Sequence, residues 1–256
     1  MKKSDINLHK SGKMAIFAKI KDMHFQLIHI AETDSTNRWL KEHRGDEDCV
    51  VVTDYQTAGR GCGTNRWESE RGKNLLFSVL IHPSSPLPAN RQFHISMAVS
   101  LAICEALEQR IGDVSIKWPN DIYWRGGKIC GILIENTLQG GYIKDSVIGV
   151  GLNVNQRAFH SDAPNPVSLW QITEQETDRE ELLHDILRCL TKNLGQEIRS
   201  RYMTMLYRRK GFHPYVDKGG AFMAEIVNVE DDGHLLLCDD SGQQRRYAFK
   251  EVQFVL

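Results

Sequence analysis

Residues 59–67, GRGCGTNRW, combine three glycines, two arginines and one tryptophan in nine positions. Glycine at this density costs conformational entropy on folding and lets the backbone approach a bound group closely. Backbone amides and guanidinium groups both donate hydrogen bonds to phosphate oxygens, and arginine can do so with two parallel bonds. The segment is therefore predicted to hold a phosphate, and a solvated surface loop is the alternative interpretation of a glycine pattern by itself.

Two lysines and an aspartate lie in strand-like surroundings further along the chain: Lys117 and Asp121 in KWPNDI, and Lys128 in GGKICGILI. An unpaired ammonium group in a buried strand is costly, so a ligand carboxylate or phosphate is a natural partner, whereas a lysine at a strand edge can reach solvent instead. Pro119 restricts how Asn120 and Asp121 project. Asp121 can then accept a proton beside the cations, or the Asn-Asp pair can shape the loop as an Asx turn.

Hydrophobic patterning predicts the strands that must position these groups. Continuous apolar runs at 49–55, 74–81 and 140–155 indicate strands buried on both faces. Between 115 and 136 the chain is predicted to form three shorter strands, separated by the Pro-Asn-Asp break and by a Gly-Gly hairpin. The glycine-rich segment thus connects two core strands.

Helical spacing predicts a helix starting within 36–39, a long helix over about 91–110 and another over about 178–201. After Gly211 short strands alternate with KGG, DDG and DSG turns, which is typical of a small barrel. The chain is therefore predicted to have an α+β fold with a compact all-β unit at its C-terminal end.

Composition bounds the function. A chain of 256 residues with 41% hydrophobic and 25% charged residues is globular, and its net charge of −1 removes any general attraction to nucleic acid or membrane. Six cysteines without CxxC spacing favour reduced thiols in the cytoplasm. No apolar run reaches the length of a membrane span, and residues 1–24 are polar and unpatterned, which predicts an N-terminal tail too short for a DNA-binding domain.

Five separated motifs in order resemble the biotin–protein ligases. They are DSTN at 34–37, QTAGRG at 56–61 with Trp67, KWPNDI at 117–122, GGKICGILIE at 126–135 and GVGLNVN at 149–155. The resemblance runs from about Phe25 to the C-terminus. It implies a catalytic domain like that of class II aminoacyl-tRNA synthetases at 25–210, with a mixed sheet and helices on one side of it, followed by an SH3-like domain at 211–256.

The resemblance also implies an activity: biotin, ATP and Mg²⁺ give biotinyl-5′-AMP, and biotin then passes to a lysine of a biotin carboxyl carrier protein or carrier domain of a carboxylase. It implies four catalytic residues: Arg60, Lys117, Asp121 and Lys128, with Lys128 on the biotin carboxylate and α-phosphate, and Asp121 beside the acceptor lysine. The implied binding residues are Ser35, Thr36, Asn37, Gln56, Gly59, Gly61, Arg66, Trp67, Asn120, Gly131, Gly151 and Asn153. No residue is assigned as a metal ligand.

Two rival functions stay open at this point. A lipoate–protein ligase shares the fold and the adenylation chemistry. Its pocket would have to hold a dithiolane ring and would need no hydrogen-bond partners for a ureido ring. A biotin-sensing transcriptional regulator would need a DNA-reading domain, which residues 1–24 are too few to form. Neither nucleic acid nor membrane is an expected partner, and the sequence leaves both a monomer and a strand-paired dimer open.

One position departs from the family pattern. Many relatives carry a further basic residue directly after GRG, whereas this chain has Cys62, and Arg66 is the other nearby cation. A thiol cannot neutralise a phosphate, so one lost charge-assisted contact is expected to weaken retention of the acyl-adenylate by about 1.5–3 kcal/mol, or roughly ten- to a hundredfold in residence time.

This departure gives a prediction about release of the intermediate. Cys62→Arg should slow the dissociation of labelled biotinyl-adenylate relative to the native protein, because it restores a cation at the phosphate. The off-rates of the native protein, Cys62→Arg and Arg66→Ala are to be compared. An unchanged off-rate in Cys62→Arg together with faster release from Arg66→Ala would assign the retaining contact to Arg66 instead.

Overall fold

The computed structural model describes residues 6–8, 14–19, 25–161 and 164–255. The strands are β1 Ile6–Leu8, β2 Met14–Lys19, β3 Gln26–Ile30, β4 Cys49–Thr53, β5 Leu75–Ile81, β6 Val114–Lys117, β7 Asp121–Trp124, β8 Gly127–Gln139, β9 Tyr142–Leu152, β10 His213–Asp217, β11 Gly220–Val229, β12 Leu235–Asp239, β13 Gln244–Tyr247 and β14 Gln253–Phe254. The helices are α1 Thr36–His43, α2 Phe93–Glu108, α3 Leu169–Thr173, α4 Arg179–Leu194 and α5 Arg199–Thr204.

Within the described residues, nine strands form one mixed sheet in the order β1-β2-β3-β4-β5-β9-β8-β7-β6. β3 and β4 pair in parallel, and the other neighbouring strands pair antiparallel. The five C-terminal strands form a separate antiparallel sheet in the order β13-β12-β11-β10-β14. The predicted α+β fold, a mixed sheet with helices packed on it and a small β unit at the C-terminal end, is confirmed.

Helices cover both faces of the large sheet. β4 and β5 are buried at every position, and successive side chains of a strand point to opposite faces, so each face needs its own cover. Val50 packs in one apolar cluster with α2 and α4, whereas Val51 packs in another with Leu40 of α1. The expectation of helices on one side is therefore wrong, because α1 lies on the face opposite α2 and α4.

A buried polar contact ties α1 to the sheet. Asn37 Oδ1 lies 2.6 Å from Ser78 Oγ of β5, and Asn37 Nδ2 donates to Glu135 Oε2 of β8 at 2.9 Å. Gly149 of β9 makes room for this amide, since a Cβ built there would overlap Asn37 Oδ1. The start of α1, which bears predicted site residues, is thus held against three strands.

Two predicted segments differ from the structure. The single helix over 178–201 is two helices, because α4 ends at Leu194 and Gly195, a poor helix former, follows it before α5 begins. The predicted N-terminal tail is corrected at residues 6–8 and 14–19, where β1 and β2 extend the sheet from β3. The only apolar run of that segment, too short for a signal peptide, is long enough for a strand. Residues 1–5, 9–13 and 20–24 of the predicted tail lie outside the described residues.

The two sheets are joined through β6 and the loop after it. Ile116 N donates to Met205 O at 2.7 Å and Tyr207 N donates to Ile116 O at 2.8 Å, which covers the outer edge of β6. Trp118 is buried and its Nε1 donates to Gly233 O of the C-terminal sheet at 2.9 Å. The chain leaves its last contact with β6 at Tyr207 and enters the C-terminal sheet at His213. The proposed domain division after residue 210 stays a prediction.

No helix in the described part of the chain is long and apolar enough to cross a membrane. The longest helices, α2 and α4, each have 16 residues, against about 20 needed for a transmembrane helix.

The contact under α1 gives a stability prediction. Gly149→Ala should destabilise the protein by about 1–3 kcal/mol, because the added methyl group displaces Asn37 and its buried hydrogen bonds. Gly45→Ala is the matched control, since a Cβ at Gly45 meets no atom within 4 Å. Urea unfolding measures both variants, and equal midpoints for the two would contradict this role of Gly149.

Candidate active site

The residues predicted to act on a ligand line one cleft of about 890 Å³. Its lining includes Ser35, Thr36, Asn37, Gln56, Arg60, Gly61, Arg66, Trp67, Lys117, Asn120, Asp121, Lys128, Gly131, Gly151 and Asn153. Of the predicted site residues, Gly59 alone is absent from this lining within the described part of the chain. The cleft also takes residues from the loop after β13 and from β14, so the C-terminal sheet forms part of its wall.

The charge of the cleft is strongly positive although the chain carries a net charge of −1. Among the described residues that line it, the cations are Arg60, Arg66, Lys117, Lys128 and Lys250, and the only carboxylate is that of Asp121. Low-dielectric walls lined by one sign of charge concentrate ions of the opposite sign. The cleft is therefore suited to a multiply charged anion.

The centre of the cleft is an ion pair between two predicted catalytic residues. Lys128 Nζ, near the start of β8, lies 2.7 Å from Asp121 Oδ1, at the start of the adjacent strand β7. Both side chains are about one-quarter exposed. Lys128 Nζ also lies 5.8 Å from the centroid of the Trp67 ring. The ammonium group is thus partnered by protein while it still borders the space that a ligand would occupy.

Lys117 is held between two aromatic rings. Its Nζ lies 5.4 Å from the ring centroid of Tyr123 and 5.1 Å from that of Phe254 in β14. Burial lowers the pKa of Lys117, and the Asp121 carboxylate opposes this shift. A lysine whose charge is desolvated in this way gains most from a bound anion.

The glycine-rich segment is a small closed hairpin. Gly61 N donates to Asn65 O at 2.8 Å and Trp67 N donates to Gly59 O at 3.0 Å, which places Arg60 opposite Arg66. A Cβ at Gly59 would lie 2.7 Å from the carbonyl oxygen of Trp67. Gly59 therefore serves the closure of the hairpin and does not line the cleft, while its role as a binding residue stays a prediction.

Trp67 occupies the space beside two predicted binding glycines. A Cβ at Gly131 would lie 2.8 Å from Cζ3 of the indole, and a Cβ at Gly151 would lie 2.6 Å from its Nε1. These glycines were expected to let the backbone contact the ligand, but in the structure they accommodate the indole. Trp67 Nε1 is buried without a hydrogen-bond partner among the described residues, and such a donor is costly unless a ligand satisfies it.

Arg60 is oriented by Glu135, a residue to which sequence analysis gave no role. Arg60 Nη1 lies 3.8 Å from Glu135 Oε1, and Lys41 Nζ lies 2.6 Å from the same oxygen. Burial would raise the pKa of Glu135, but hydrogen bonds from Lys41 and Asn37 outweigh it and lower the pKa. Glu135 is consequently an anionic support for cations at this side of the cleft.

The polar residues at the start of α1 are mostly engaged with each other. Gln56 Oε1 accepts from Thr36 N at 2.8 Å and from Thr36 Oγ1 at 3.1 Å, so Gln56 supplies the helix cap. Ser35 is at the N-cap position, but its side chain makes no capping hydrogen bond. Asn37 is 2% exposed and both ends of its amide are bonded within the protein. Ser35 is buried to a similar extent, at 3% exposed, but its hydroxyl is not used for capping and is freer than the Asn37 amide to bond a ligand, a distinction that the DSTN motif does not reveal.

The other two predicted asparagines, Asn120 and Asn153, differ from each other in the same way. Asn120 Nδ2 donates to the carbonyl oxygen of Ile132 and braces the adjoining strand. Asn153 Nδ2 donates to Val167 O at 3.1 Å, whereas its buried Oδ1 has no hydrogen-bond partner within the described part of the chain. Asn153 therefore retains an acceptor for a ligand donor.

Comparisons with known proteins agree with the motifs. A family model described as the biotin/lipoate A/B protein ligase family matches residues 30–153. The bifunctional ligase/repressor BirA of Bacillus spizizenii is 28% identical over 232 residues, which cover 86% of this chain and 70% of that protein. The biotin–[acetyl-CoA-carboxylase] ligase of Mycobacterium tuberculosis is 29% identical over 231 residues, which cover 83% of each chain.

A solved structure supports the same relationship over nearly the whole of both folds. The biotin protein ligase from Aquifex aeolicus in complex with biotin and ATP superposes with a TM-score of 0.72 at 27% identity, covering 89% of this chain and 97% of that one. The five motifs, the fold and the lining of the cleft lead to the same assignment. The chain resembles the biotin–protein ligases over most of its length, and its residues 30–153 match the biotin/lipoate A/B protein ligase family.

Proposed function

We propose that the protein is an ATP-dependent biotin–protein ligase that makes biotinyl-5′-AMP and transfers biotin to a lysine of a biotin carboxyl carrier protein or domain. The observation that carries the proposal is the grouping of Arg60, Lys117 and Lys128 around Asp121 in one cleft of a nearly neutral chain. The names of the relatives from Mycobacterium tuberculosis and Aquifex aeolicus support biotin as the acid that is activated.

The first step joins two anions. A carboxylate oxygen of biotin attacks the α-phosphorus of ATP, the bond to the β-phosphate bridging oxygen breaks, and pyrophosphate leaves with the bonding electrons. Repulsion between the carboxylate and the triphosphate opposes this attack, so neutralisation and alignment provide most of the catalysis. Lys128 is the residue that we assign to the carboxylate and the α-phosphate, and Arg60 and Lys117 add positive charge beside it.

The second step transfers the acyl group. The amine of the acceptor lysine attacks the acyl carbon of biotinyl-AMP, an amide bond forms, and AMP leaves. The attacking amine must lose a proton, and the Asp121 carboxylate is the acceptor that lines the cleft. When a ligand carboxylate or phosphate draws Lys128 away from Asp121, the carboxylate loses its present partner at 2.7 Å and becomes available to the amine.

Mg²⁺ is expected to enter with ATP. Protein-bound Mg²⁺ usually combines one or two carboxylates with substrate phosphates and water. The described lining offers one carboxylate, Asp121, which is already paired with Lys128. A second group of potential ligands, Glu230, Asp232 and His234, lies in the C-terminal sheet, where Arg246 pairs with both carboxylates. The phosphates of ATP and water would therefore supply most of the ligands that a Mg²⁺ ion needs in this cleft.

We place the reaction in the cytoplasm. All six cysteines of the sequence are described and are free thiols, which suits a reducing compartment. Burial raises the pKa of Cys49 to about 11 and raises the pKa values of Cys104 and Cys130 further, so these three thiols stay protonated and inert.

The proposal predicts which acid is activated. Purified protein with ATP and Mg²⁺ should catalyse ATP–pyrophosphate exchange when biotin is added. Exchange with lipoate should be weaker by at least about tenfold, because the ring of lipoate has no ureido group and leaves the polar groups of the pocket unpaired. The adenylate product is identified by mass spectrometry. Preferential formation of the lipoate adenylate would replace biotin by lipoate in this proposal.

Lys128→Ala tests the central cation. It should reduce biotin-dependent exchange by about a hundredfold or more, since a charge-assisted contact to the reacting oxygens is lost in the transition state. Lys73→Ala is the matched control, because Lys73 pairs with Glu176 at 3.5 Å outside the cleft. Thermal unfolding of both variants checks that the fold is kept, and near-native exchange by a folded Lys128→Ala protein would exclude the assigned role.

A further inference from the structure

Lys250 is a cation of the cleft that comes from the C-terminal sheet. It lies in the loop between β13 and β14, is exposed, and contributes to the lining of the cleft. Its φ angle of 72° is in the left-handed region, which a residue with a side chain adopts at a cost and glycine adopts readily. A strained backbone conformation at a cleft residue directs attention to what its side chain contacts.

The side chain of Lys250 extends to the glycine-rich hairpin of the large sheet. A Cβ built on Gly63 would lie only 2.8 Å from Lys250 Nζ, so the absence of a side chain at Gly63 makes room for the ammonium group. Gly63 itself has a φ angle of 69° and directly follows Cys62. The contact brings a cation from one sheet to the loop of the other sheet that is predicted to hold a phosphate.

Lys250 has no carboxylate within ion-pair distance among the described residues. Its recorded neighbour is the ring of Phe249, whose centroid lies 5.8 Å from Nζ. Phe249 is 45% exposed and approaches Trp118 edge to face at 6.3 Å. The ammonium group is thus positioned at the cleft without being neutralised by the described protein atoms.

We propose that Lys250 is a phosphate-binding residue that contacts the polyphosphate chain of the nucleoside triphosphate in the cleft, together with Arg60 and Arg66 of the hairpin. The inference deepens the proposed ligase function and rests on it for the identity of the nucleotide. It assigns to the C-terminal sheet a direct part in ATP binding. It also provides a cation beside the position where Cys62 carries no charge.

The charges and geometry favour phosphate over the carboxylate of biotin as the partner of Lys250. Lys250 contacts the hairpin at Gly63, where backbone amides and Arg60 and Arg66 offer further donors to several oxygens. Lys128 is the cation assigned to the carboxylate. A compact ammonium on a flexible chain suits a group with several charged oxygens, since it needs no fixed planar geometry.

Lys250→Gly is the informative variant. It removes the cation and relaxes the left-handed backbone conformation, so it should unfold no more easily than the native protein. Lys218→Gly is the matched control, because Lys218 is an exposed lysine in the turn between β10 and β11 and does not line the cleft. Each change removes one positive charge from the same sheet.

Titration calorimetry of the full chain with α,β-methylene-ATP and with adenosine separates phosphate contacts from base contacts. Lys250→Gly should weaken binding of α,β-methylene-ATP by about five- to tenfold and should leave adenosine binding unchanged. The expected loss is modest because an exposed lysine makes a weak charge-assisted contact. Lys218→Gly should change neither. In biotin-dependent exchange, Lys250→Gly should raise KM for ATP by a similar factor and leave KM for biotin unchanged.

Several outcomes would overturn the inference. Unchanged binding of α,β-methylene-ATP, equal losses for α,β-methylene-ATP and adenosine, or the same loss in Lys218→Gly would each exclude a phosphate contact by Lys250. Failure of the proposed function is distinguishable, because native protein would then bind α,β-methylene-ATP but show no exchange with biotin. Native protein that binds no α,β-methylene-ATP would overturn both.

Discussion

Repulsion among like charges is the constraint on which the rest of this structure depends. The cleft gathers Arg60, Lys117 and Lys128, of which the two lysines are half-buried, and a desolvated cation is costly unless an anion lies nearby. Asp121 holds Lys128, and Glu135 holds Arg60 together with Lys41. These two carboxylates partly neutralise the cations and leave the side of each cation that faces the cleft open to an anionic ligand.

The large sheet meets this constraint because its central strands are covered on both faces. One face is covered by α1 and the other by α2 and α4. The charged side chains of the cleft therefore come from the starts of β7 and β8 and from the hairpin after β4. The buried amide of Asn37 fixes α1 to this sheet and also bonds Glu135, so the packing of a helix and the charge of the site share one contact. Stability and chemistry are therefore coupled at the start of α1.

Three glycines of the motifs make room for one residue, Trp67. Gly131 and Gly151 leave space that the indole of Trp67 fills, and Gly59 permits the close approach of the Trp67 carbonyl oxygen. The buried Nε1 of Trp67 and Oδ1 of Asn153 have no hydrogen-bond partner among the described residues. Both atoms indicate a site whose hydrogen bonds are completed by a ligand, since an unbonded donor or acceptor in a protein interior reduces stability.

The sequence by itself determined the resemblance to the biotin–protein ligases, the α+β class, the core strands around 49–55 and 74–81, and which charged residues belong together, because motifs and apolar periodicity are read directly along the chain. It missed the break at Gly195, where a single glycine outweighs the helical pattern on either side, and it missed β2, which pairs with β3, and β1, which pairs with β2. Only the tertiary structure separated Ser35 from Asn37, since both are polar residues of one motif and the partners of the Asn37 amide come from distant strands. It alone brought Glu135 beside Arg60 and Lys250 to the cleft, because the distance between their side chains and the glycine-rich hairpin is set by sheet packing and not by spacing along the chain.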